Sequence, residues 1–148
     1  MTTLNEQIVK EAKTWIGVNF QHHGASKFGC DCSGLIIGVL NAIGYLRNYK
    51  RIKYPKDWNF HGMAKGYFKD ELLKFSNIVP LHKAKIGDVL LFQWGNCPSH
   101  TAWLMEDDMF LNAQAKVKVH LTPLSSNKHR KRLRYVFRLD EEKLKEFN

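Results

Sequence analysis

The chain has 148 residues and a mass of 17.2 kDa, which predicts one domain spanning residues 1–148 around a single core. Its 44% hydrophobic and 25% charged residues exclude a disordered or fibrous protein, and no apolar run approaches the roughly 18 residues of a membrane span. The formal net charge of +9 predicts attraction to polyanions without choosing among nucleic acid, anionic lipid and anionic wall polymers.

The beginning of the chain lacks the basic and apolar segments of a signal peptide, so we expect a protein made in the cytoplasm without signal-dependent export. Its three cysteines are too few for a disulfide framework, and Cys30 and Cys32 are too close in sequence for an easy mutual bridge. We therefore expect free thiols in a reducing compartment.

Two amphipathic helices are predicted in the N-terminal third of the chain. Residues 4–16 place their apolar side chains on one stripe, and the pattern stops at Gly17. Residues 33–43 repeat the pattern up to Gly44, which suits a helix C-terminus. Cys32 is therefore expected at the N-terminus of the second helix.

The periodicity changes after a third predicted helix, whose apolar positions run from Met63 to Phe75. Strand-like stretches separated by Asn, Asp, Pro and Ser then cover residues 89–92, 100–105, 109–113, 117–121 and 134–139. Helices that precede strands predict an α+β fold with the N-terminal helices packed on a small antiparallel sheet. The charged tail, residues 140–148, is expected to form a last helical turn or to fray.

The densest basic cluster, Lys128 to Arg132, contains no aromatic residue that could stack on bases. We expect a solvated loop there and no nucleic acid partner.

Cys32 is the candidate nucleophile. It follows a glycine turn and begins an apolar helix, where the partial positive charge and unpaired amides of the helix N-terminus favour a thiolate and can hold an oxyanion. The alternative is that Cys32 is a small buried side chain without chemistry, as many free cysteines are.

His100 is the candidate base, because it opens a strand-like run that could face the helix terminus and accept the thiol proton. A third residue should orient the imidazole. If residues 100–105 and 109–113 pair in an even register, Asn112 and Gln114 share the face of His100, whereas an odd register would bring apolar residues there. His120 is the other candidate for the orienting role.

Several segments resemble, in order and spacing, the NlpC/P60 family of papain-like cysteine peptidases. The resemblance runs from about residue 6 to residue 139. The matching segments are Trp15-Ile16-Gly17, Gly24, Asp31-Cys32-Ser33-Gly34-Leu35, Gly87-Asp88-Val89-Leu90-Leu91-Phe92, Ser99-His100-Thr101-Ala102 and Phe110-Leu111-Asn112-Ala113. The chain resembles in particular the short phage-tail and gene-transfer-agent members, which fits the missing signal peptide.

The resemblance implies a circularly permuted papain-like fold with Cys32 as nucleophile, His100 as base and Asn112 as the third polar residue. It also implies cleavage of peptidoglycan stem peptides, at the bond between D-glutamate and a diamino acid, without a metal or other cofactor. Partners would be the wall peptide and tail or gene-transfer-agent proteins, and the protein would act at the cell wall. Asp31 and Ser33 match positions that contact the free α-amine of the stem peptide in some members.

Three positions depart from the family pattern. Asn112 stands where many members have histidine, and it keeps a hydrogen-bond acceptor there. Phe20 replaces a tyrosine whose hydroxyl lies beside the nucleophile, and His23 replaces the first glycine of a pair. Phe20 and His23 are therefore substrate-side candidates, and we expect the oxyanion to be held by the Cys32 amide and a donor from the 20–24 loop.

Three other functions remain open from the sequence, and one of them is also enzymatic, because the same Cys–His pair would serve an acyltransferase or an amidase acting on another amide or ester. A catalytically weak or inactive member could bind peptide without cleaving it, as the changes at Phe20 and His23 suggest. A zinc-binding module could use Cys30, Cys32, Cys97 and His100 as three sulfur ligands and one nitrogen ligand, although Cys-x-Cys is tighter than the usual zinc spacing.

Overall fold

The computed structural model describes residues 2–54 and 66–148. Within these ranges the helices are α1 (Leu4–Lys13), α2 (Cys32–Ala42), α3 (Tyr67–Leu73), α4 (Asn127–Arg130) and α5 (Glu141–Lys145). The predicted start of the third helix at Met63 lies outside the described residues. Helix α5 is the last helical turn expected for the tail, and the Asp140 carboxylate caps it by accepting from the amides of Glu142 and Lys143.

The strands within the same ranges form two antiparallel sheets. They are β1 (Ala25–Ser26), β2 (Gly29–Cys30), β3 (Ser76–Val79), β4 (Val89–Trp94), β5 (Cys97–Leu104), β6 (Met109–Gln114), β7 (Val117–Pro123) and β8 (Leu133–Leu139). The pair β1 and β2 forms a short hairpin, and the other six form one sheet in the order β3-β8-β4-β5-β6-β7. The predicted α+β class and the five predicted strands are confirmed, whereas β3 and the short hairpin were not predicted.

Helix α1 ends earlier than its apolar stripe. The Thr14 hydroxyl donates to the Glu11 carbonyl at 2.6 Å, and Gly17 has a φ of +92°, so the chain turns after Lys13 instead of continuing to residue 16. Trp15 is still buried, and its indole nitrogen donates to the Glu11 carboxylate at 2.8 Å. Ile16, which was predicted on the same stripe, is half exposed.

Helix α2 packs across the sheet and fixes the position of Cys32. Every side chain from Leu35 to Leu40 is buried, because one face lies on β5 and β6 and another lies against α1 and β1. The indole nitrogen of Trp103 on β5 donates to the Leu35 carbonyl at 3.3 Å. Gly34 allows the Gly24 carbonyl to lie against the first turn of α2, where an added Cβ would collide with it.

Asp88 ties the start of β4 to β8. Its carboxylate is completely buried and accepts from Arg138 Nε at 3.1 Å and Nη2 at 2.9 Å, a bidentate ion pair. The amide of Lys85 also donates to it, at 2.8 Å. The Gly-Asp segment before β4 therefore anchors the sheet, and it contributes no side chain to the cleft described below.

Candidate active site

Cys32 is the first residue of α2, and its side chain is partly exposed. Asp31 caps the helix by accepting from the Gly34 amide at 2.8 Å. The amides of the first helical residues have no intrahelical partner, so the sulfur lies in the positive field of the helix N-terminus. The thiol contacts the Ser99 carbonyl on β5 at 3.7 Å, which brings the helix terminus against the strand that carries His100.

His100 lies in the middle of β5. The predicted start of this strand at residue 100 is wrong, since the strand begins at Cys97. Phe92 pairs with His100 and Gln93 pairs with Pro98, so Ser99 is the extra residue of a β-bulge. Such bulges change the direction of neighbouring side chains and occur frequently beside active sites. This bulge lies where the strand meets Cys32.

Asn112 on β6 hydrogen-bonds to His100. The Asn112 Oδ1 atom is 3.0 Å from His100 Nε2, and both side chains are buried. Trp103 pairs with Leu111 across β5 and β6, which is the even register that places Asn112 on the face of His100. His120 is the β7 partner of Asn112, and its ring nitrogen Nδ1 bonds to the Lys118 carbonyl at 2.8 Å.

Two acceptors fix the orientation of the Asn112 amide. Its Nδ2 donates to the His120 carbonyl at 3.2 Å and to Thr122 Oγ1 at 3.1 Å. A carbonyl oxygen can only accept, so the nitrogen must point toward β7 and Oδ1 must face His100. The proton on His100 is therefore on Nε2, and Nδ1 retains its lone pair.

Trp94 stacks on His100 in parallel, with ring centroids 3.6 Å apart and planes 6° from parallel. The indole covers one face of the imidazole and fixes its plane. Both rings line a cleft of about 140 Å³ that also contains Cys32. The residues lining this cleft are Phe20, His22, Asp31, Cys32, Tyr54, Phe68, Trp94, Ser99, His100, Ala113 and Ala115.

Burial places the Cys32 and His100 side chains in their neutral forms. It raises the pKa of the Cys32 thiol to about 11, with the negative charge of Asp31 adding to the effect and the amides of Thr101 and Ser33 opposing it. Burial also lowers the pKa of His100 to about 4, although the bond to Asn112 opposes this. Both shifts favour the uncharged forms, a thiol and a neutral imidazole, and they oppose the effect of the helix terminus, which favours the thiolate.

Asp31, which is buried, and Ser33, which is half-buried, belong to a cluster of polar groups that extends away from the cleft. Arg51 Nη2 donates to Asp31 Oδ1 at 3.1 Å and to Ser33 Oγ at 2.8 Å. The Tyr54 hydroxyl donates to Asp31 Oδ2 at 2.5 Å and bonds to Ser33 Oγ at 2.7 Å. Arg51 and Tyr54 were missed by the sequence reasoning, because they lie in a stretch without periodicity and no motif marks them.

The 20–24 loop takes part in the site differently from the prediction. Phe20 lines the cleft, but His23 is absent from its lining, and the His23 ring bonds through Nε2 to the Ile52 carbonyl at 2.8 Å. His22 lines the cleft in its place, and its Nε2 bonds to the Tyr54 carbonyl at 3.0 Å. Both ring nitrogens must donate to these carbonyls, so neither Nε2 is available for an oxyanion.

The four residues proposed for a zinc module do not assemble. Cys30 and Cys97 are buried in the apolar core, and burial raises the pKa of Cys30 to about 12. The part of the chain that the structure describes contains no group of three or more His, Cys, Asp or Glu side chains placed to hold a metal ion. The prediction of a zinc site formed by these four residues is therefore wrong, because their side chains do not converge on one point.

The fold and the arrangement of Cys32, His100 and Asn112 put the chain in the class of papain-like folds. The NlpC/P60 family model matches residues 17–138, which is most of the chain. The chain therefore belongs to the NlpC/P60 family. None of the curated proteins compared with the chain matches it. Among residues 2–54 and 66–148, no helix is long and apolar enough to cross a bilayer.

Several solved structures share this fold. A protein similar to a lipoprotein of the NLP/P60 family from Staphylococcus aureus has a TM-score of 0.62 and 23% identity, over 91% of this chain and 41% of that protein. The peptidoglycan hydrolase RipB from Mycobacterium tuberculosis has a TM-score of 0.61 and 21% identity, over 92% of this chain and 65% of RipB. This chain thus spans about two fifths of the staphylococcal protein.

A third structure is a relative without catalytic activity. RipD from Mycobacterium tuberculosis is described as a non-catalytic NlpC/p60 domain protein adapted to peptidoglycan binding. It has a TM-score of 0.59 and 16% identity, over 93% of this chain and 98% of RipD. Family membership alone therefore does not decide between hydrolysis and binding.

Proposed function

We propose that this chain is a single catalytic domain that hydrolyses amide bonds in peptidoglycan stem peptides, with Cys32 as nucleophile, His100 as base and Asn112 as the residue that orients the base. The observation that carries this proposal is the fixed Asn112 amide. It requires the Nε2–H tautomer of His100 and leaves Nδ1 free to accept a proton in the cleft that contains Cys32.

The proposed reaction begins with Cys32 as a thiol and His100 as a neutral imidazole. As the substrate carbonyl approaches, the Cys32 thiol gives its proton to His100 Nδ1 and the sulfur attacks the carbonyl carbon. The Cys32 amide at the helix N-terminus stabilises the oxyanion, a donor of a kind that contributes about 3 kcal/mol in other enzymes. The stacked Trp94 ring holds the plane of the imidazole during this proton transfer.

Breakdown of the intermediate uses the same proton. His100 donates it from Nδ1 to the leaving amine, the C–N bond breaks, and a thioester remains on Cys32. A water molecule then attacks the thioester carbonyl while His100 accepts one of its protons. The C–S bond then breaks, His100 returns the proton to the sulfur, and the carboxylic acid product leaves the regenerated thiol.

Family membership and the description of RipB as a peptidoglycan hydrolase support peptidoglycan as the substrate. The family resemblance supports a γ-D-glutamyl–diamino acid bond as the cleavage site. The net charge of +9 supports binding to anionic wall material. The resemblance to short phage-tail and gene-transfer-agent members supports an enzyme that is associated with such a particle and is delivered by it to the wall. Antibody labelling of purified particles would test that association, and unlabelled particles would reject it.

Incubation of purified muropeptides with wild-type protein and with Cys32→Ala tests the proposed hydrolysis. Mass spectrometry should find a pair of products that differ from the substrate by one added water, only with the wild type. Products from both proteins would reject Cys32 as the nucleophile. Products from neither would reject the hydrolase.

The second candidate function is peptide binding without turnover, as in RipD. Phe20 in the cleft favours this candidate, because it supplies no hydroxyl beside the nucleophile. Equal binding of muropeptides to wild-type protein and to Cys32→Ala, with no products from either, would support it over hydrolysis.

A further inference from the structure

The positive charge of the chain is concentrated in residues 109–139. This stretch contains eight of the 23 Lys and Arg residues and none of the 14 Asp and Glu residues. The rest of the chain carries 15 basic and 14 acidic side chains and is therefore close to neutral. Nearly the whole net charge of +9 thus belongs to β6, β7, α4, β8 and the turns between them.

The segment between β7 and β8, which was predicted as a solvated loop, contains α4 and packs on one face of the sheet. Leu124 belongs to the apolar cluster of Phe92 and Phe110 on that face. The His129 ring makes an edge contact with Phe110, with centroids 5.3 Å apart. Phe92 pairs with His100 across β4 and β5, and paired residues share a face, so the segment covers the face that carries the proposed base.

The end of this segment lies beside the cleft. The Gln93 amide donates to the Arg132 carbonyl at 2.7 Å, and Arg134 Nε donates to Gln93 Oε1 at 3.3 Å. The next residue after Gln93 is Trp94, which lines the cleft and stacks on His100. Arg132 and Arg134 are both exposed, so their positive charges border the cleft on the side of β4.

A second basic group borders the cleft at the turn between β6 and β7. Ala115 lines the cleft, and the exposed side chains of Lys116 and Lys118 follow it directly. Among the described residues that line the cleft, the only acidic side chain is Asp31, which forms an ion pair with Arg51. The positive charge on this side of the cleft is therefore not neutralised by its lining.

Three cations between β7 and β8 have head groups that face solvent. Lys128, Lys131 and Arg132 are exposed, and their side chains form no hydrogen bond or ion pair within residues 2–54 and 66–148. Arg130 makes only a long contact of 3.8 Å with Asp108, and both of these side chains are mostly exposed. These cations are thus available to an external anion.

The composition of the segment indicates which anion it suits. Lysine and arginine both bind phosphate oxygens, and the planar guanidinium of arginine does so with two parallel hydrogen bonds. Residues 123–134 contain no Phe, Tyr or Trp on which a nucleic acid base could stack. The segment therefore suits a phosphodiester polymer that has no bases.

We infer that residues 128–134, together with Lys116 and Lys118, form a basic surface that binds a linear phosphodiester polymer of the cell wall, in which an alditol phosphate such as glycerol phosphate repeats. This inference rests on the proposed function, in which the domain acts on the wall. The polymer is a second ligand, separate from the peptide that is cleaved. Because the basic surface borders the cleft, a bound polymer holds the cleft against the wall material that carries it.

Calorimetric titration of the full chain with a poly(glycerol phosphate) oligomer at several salt concentrations tests the inference. We expect the wild-type protein to bind, with an affinity that falls as salt is added. The triple variant Lys128→Gln, Lys131→Gln, Arg132→Gln should bind at least about tenfold more weakly. Its slope of log K against log salt should be smaller by about 2, because three phosphate contacts are lost.

The matched control is the triple variant Lys10→Gln, Arg47→Gln, Lys145→Gln. These three cations are also exposed, but they lie on α1, after α2 and on α5, outside residues 109–139. Both triple variants have the same net charge, and the control should bind the oligomer within about twofold of the wild type.

Three results would overturn the inference. The first is a wild-type protein that does not bind the oligomer, and the second is an equal loss of affinity in the two triple variants. The third is tighter binding of single-stranded DNA with the same number of phosphates, which would indicate a nucleic acid surface instead. Binding is measured without turnover, so a protein that binds the oligomer through the basic surface but cleaves no muropeptide would reject only the proposed hydrolysis.

Discussion

The Asn112 amide is oriented by β7, and its oxygen accepts from His100 Nε2 at 3.0 Å. The side chain of His120 takes no part in this contact, but its backbone carbonyl accepts from Asn112 Nδ2 at 3.2 Å. Gln114 Nε2 donates to the same Asn112 oxygen at 2.9 Å. The tautomer of the proposed base is thus determined by a strand two positions away in the sheet.

Replacement of Asn112 by Ala should lower kcat/KM by about 10- to 100-fold, because His100 loses the acceptor that holds its tautomer and ring orientation. His120→Ala is the matched control, since it retains the backbone carbonyl and should change the rate by less than about twofold. Initial rates of muropeptide cleavage measure both. A large loss in His120→Ala with little loss in Asn112→Ala would show that His120 is the orienting residue instead.

The stability of the protein should fall as the pH decreases from about 6.5 to about 4. His100 has an ordinary pKa of 6.5 and a folded pKa of about 4, so in this window the unfolded chain binds a proton that the folded chain does not. The loss from this group is at most about 3 kcal/mol. Urea unfolding at pH 7 and pH 4.5 measures it, with His100→Gln as the reference for all other titrating groups. An equal loss in the two proteins would show that His100 does not contribute.

The Thr101 side chain should lower the pKa of Cys32, the proposed nucleophile. The Thr101 hydroxyl is buried, and within the described ranges it has no hydrogen-bond partner at good geometry. Both this hydroxyl and the Thr101 amide nevertheless lower the pKa of the Cys32 thiol, because they interact favourably with its thiolate form. Thr101→Val should therefore raise that pKa and slow alkylation of Cys32 by iodoacetamide about threefold below pH 10. The free energy of unfolding should change by less than about 0.5 kcal/mol, because no good hydrogen bond is lost.

Peptide mass mapping after timed alkylation reports Cys32 separately from the other two cysteines. Thr101→Ser keeps the hydroxyl and should react at close to the wild-type rate. If the Val and Ser variants react equally fast, the hydroxyl does not act on the thiol.

Trp94 should set the acid limit of activity. Replacing it with Leu uncovers one face of His100, which lowers the desolvation that holds the pKa of this residue near 4. In a plot of kcat/KM against pH, the fall of activity on the acid side should then shift to higher pH, toward pH 6.5. A Trp94→Phe variant keeps an aromatic ring and should shift less. An acid limb at the wild-type pH in Trp94→Leu would mean that the indole does not control the titration of His100.

The sequence predicted the elements that have strong periodicity. The helix that begins at Cys32 and the five strands from Val89 onward were predicted, because apolar spacing and turn residues are local signals. The end of α1 was predicted too late, since a side-chain bond from Thr14 and the turn at Gly17 override a continuing apolar stripe. Strand β3 was missed because only four residues form it, along the edge next to β8.

The sequence predicted the members of the candidate site only where a local motif or the register of one strand pair determines their position. Two registers were compatible with the sequence around Asn112, and the pairing of Trp103 with Leu111 selects the even one. The Arg51–Asp31 ion pair joins residues 20 positions apart through a stretch without periodicity. Burial, which determines the charge of Cys32 and His100, depends on the assembled core and has no local signal.

The most direct test of the account is a comparison of the three cysteines. Initial rates of muropeptide cleavage should fall to background in Cys32→Ala, whereas Cys30→Ala and Cys97→Ala should keep at least about a third of the wild-type rate once corrected for the folded fraction. Cys30 and Cys97 are buried and line no part of the cleft, so their replacement removes packing but no proposed chemistry. A Cys32→Ala protein that cleaves muropeptides at a rate comparable to these two controls would contradict the proposed mechanism.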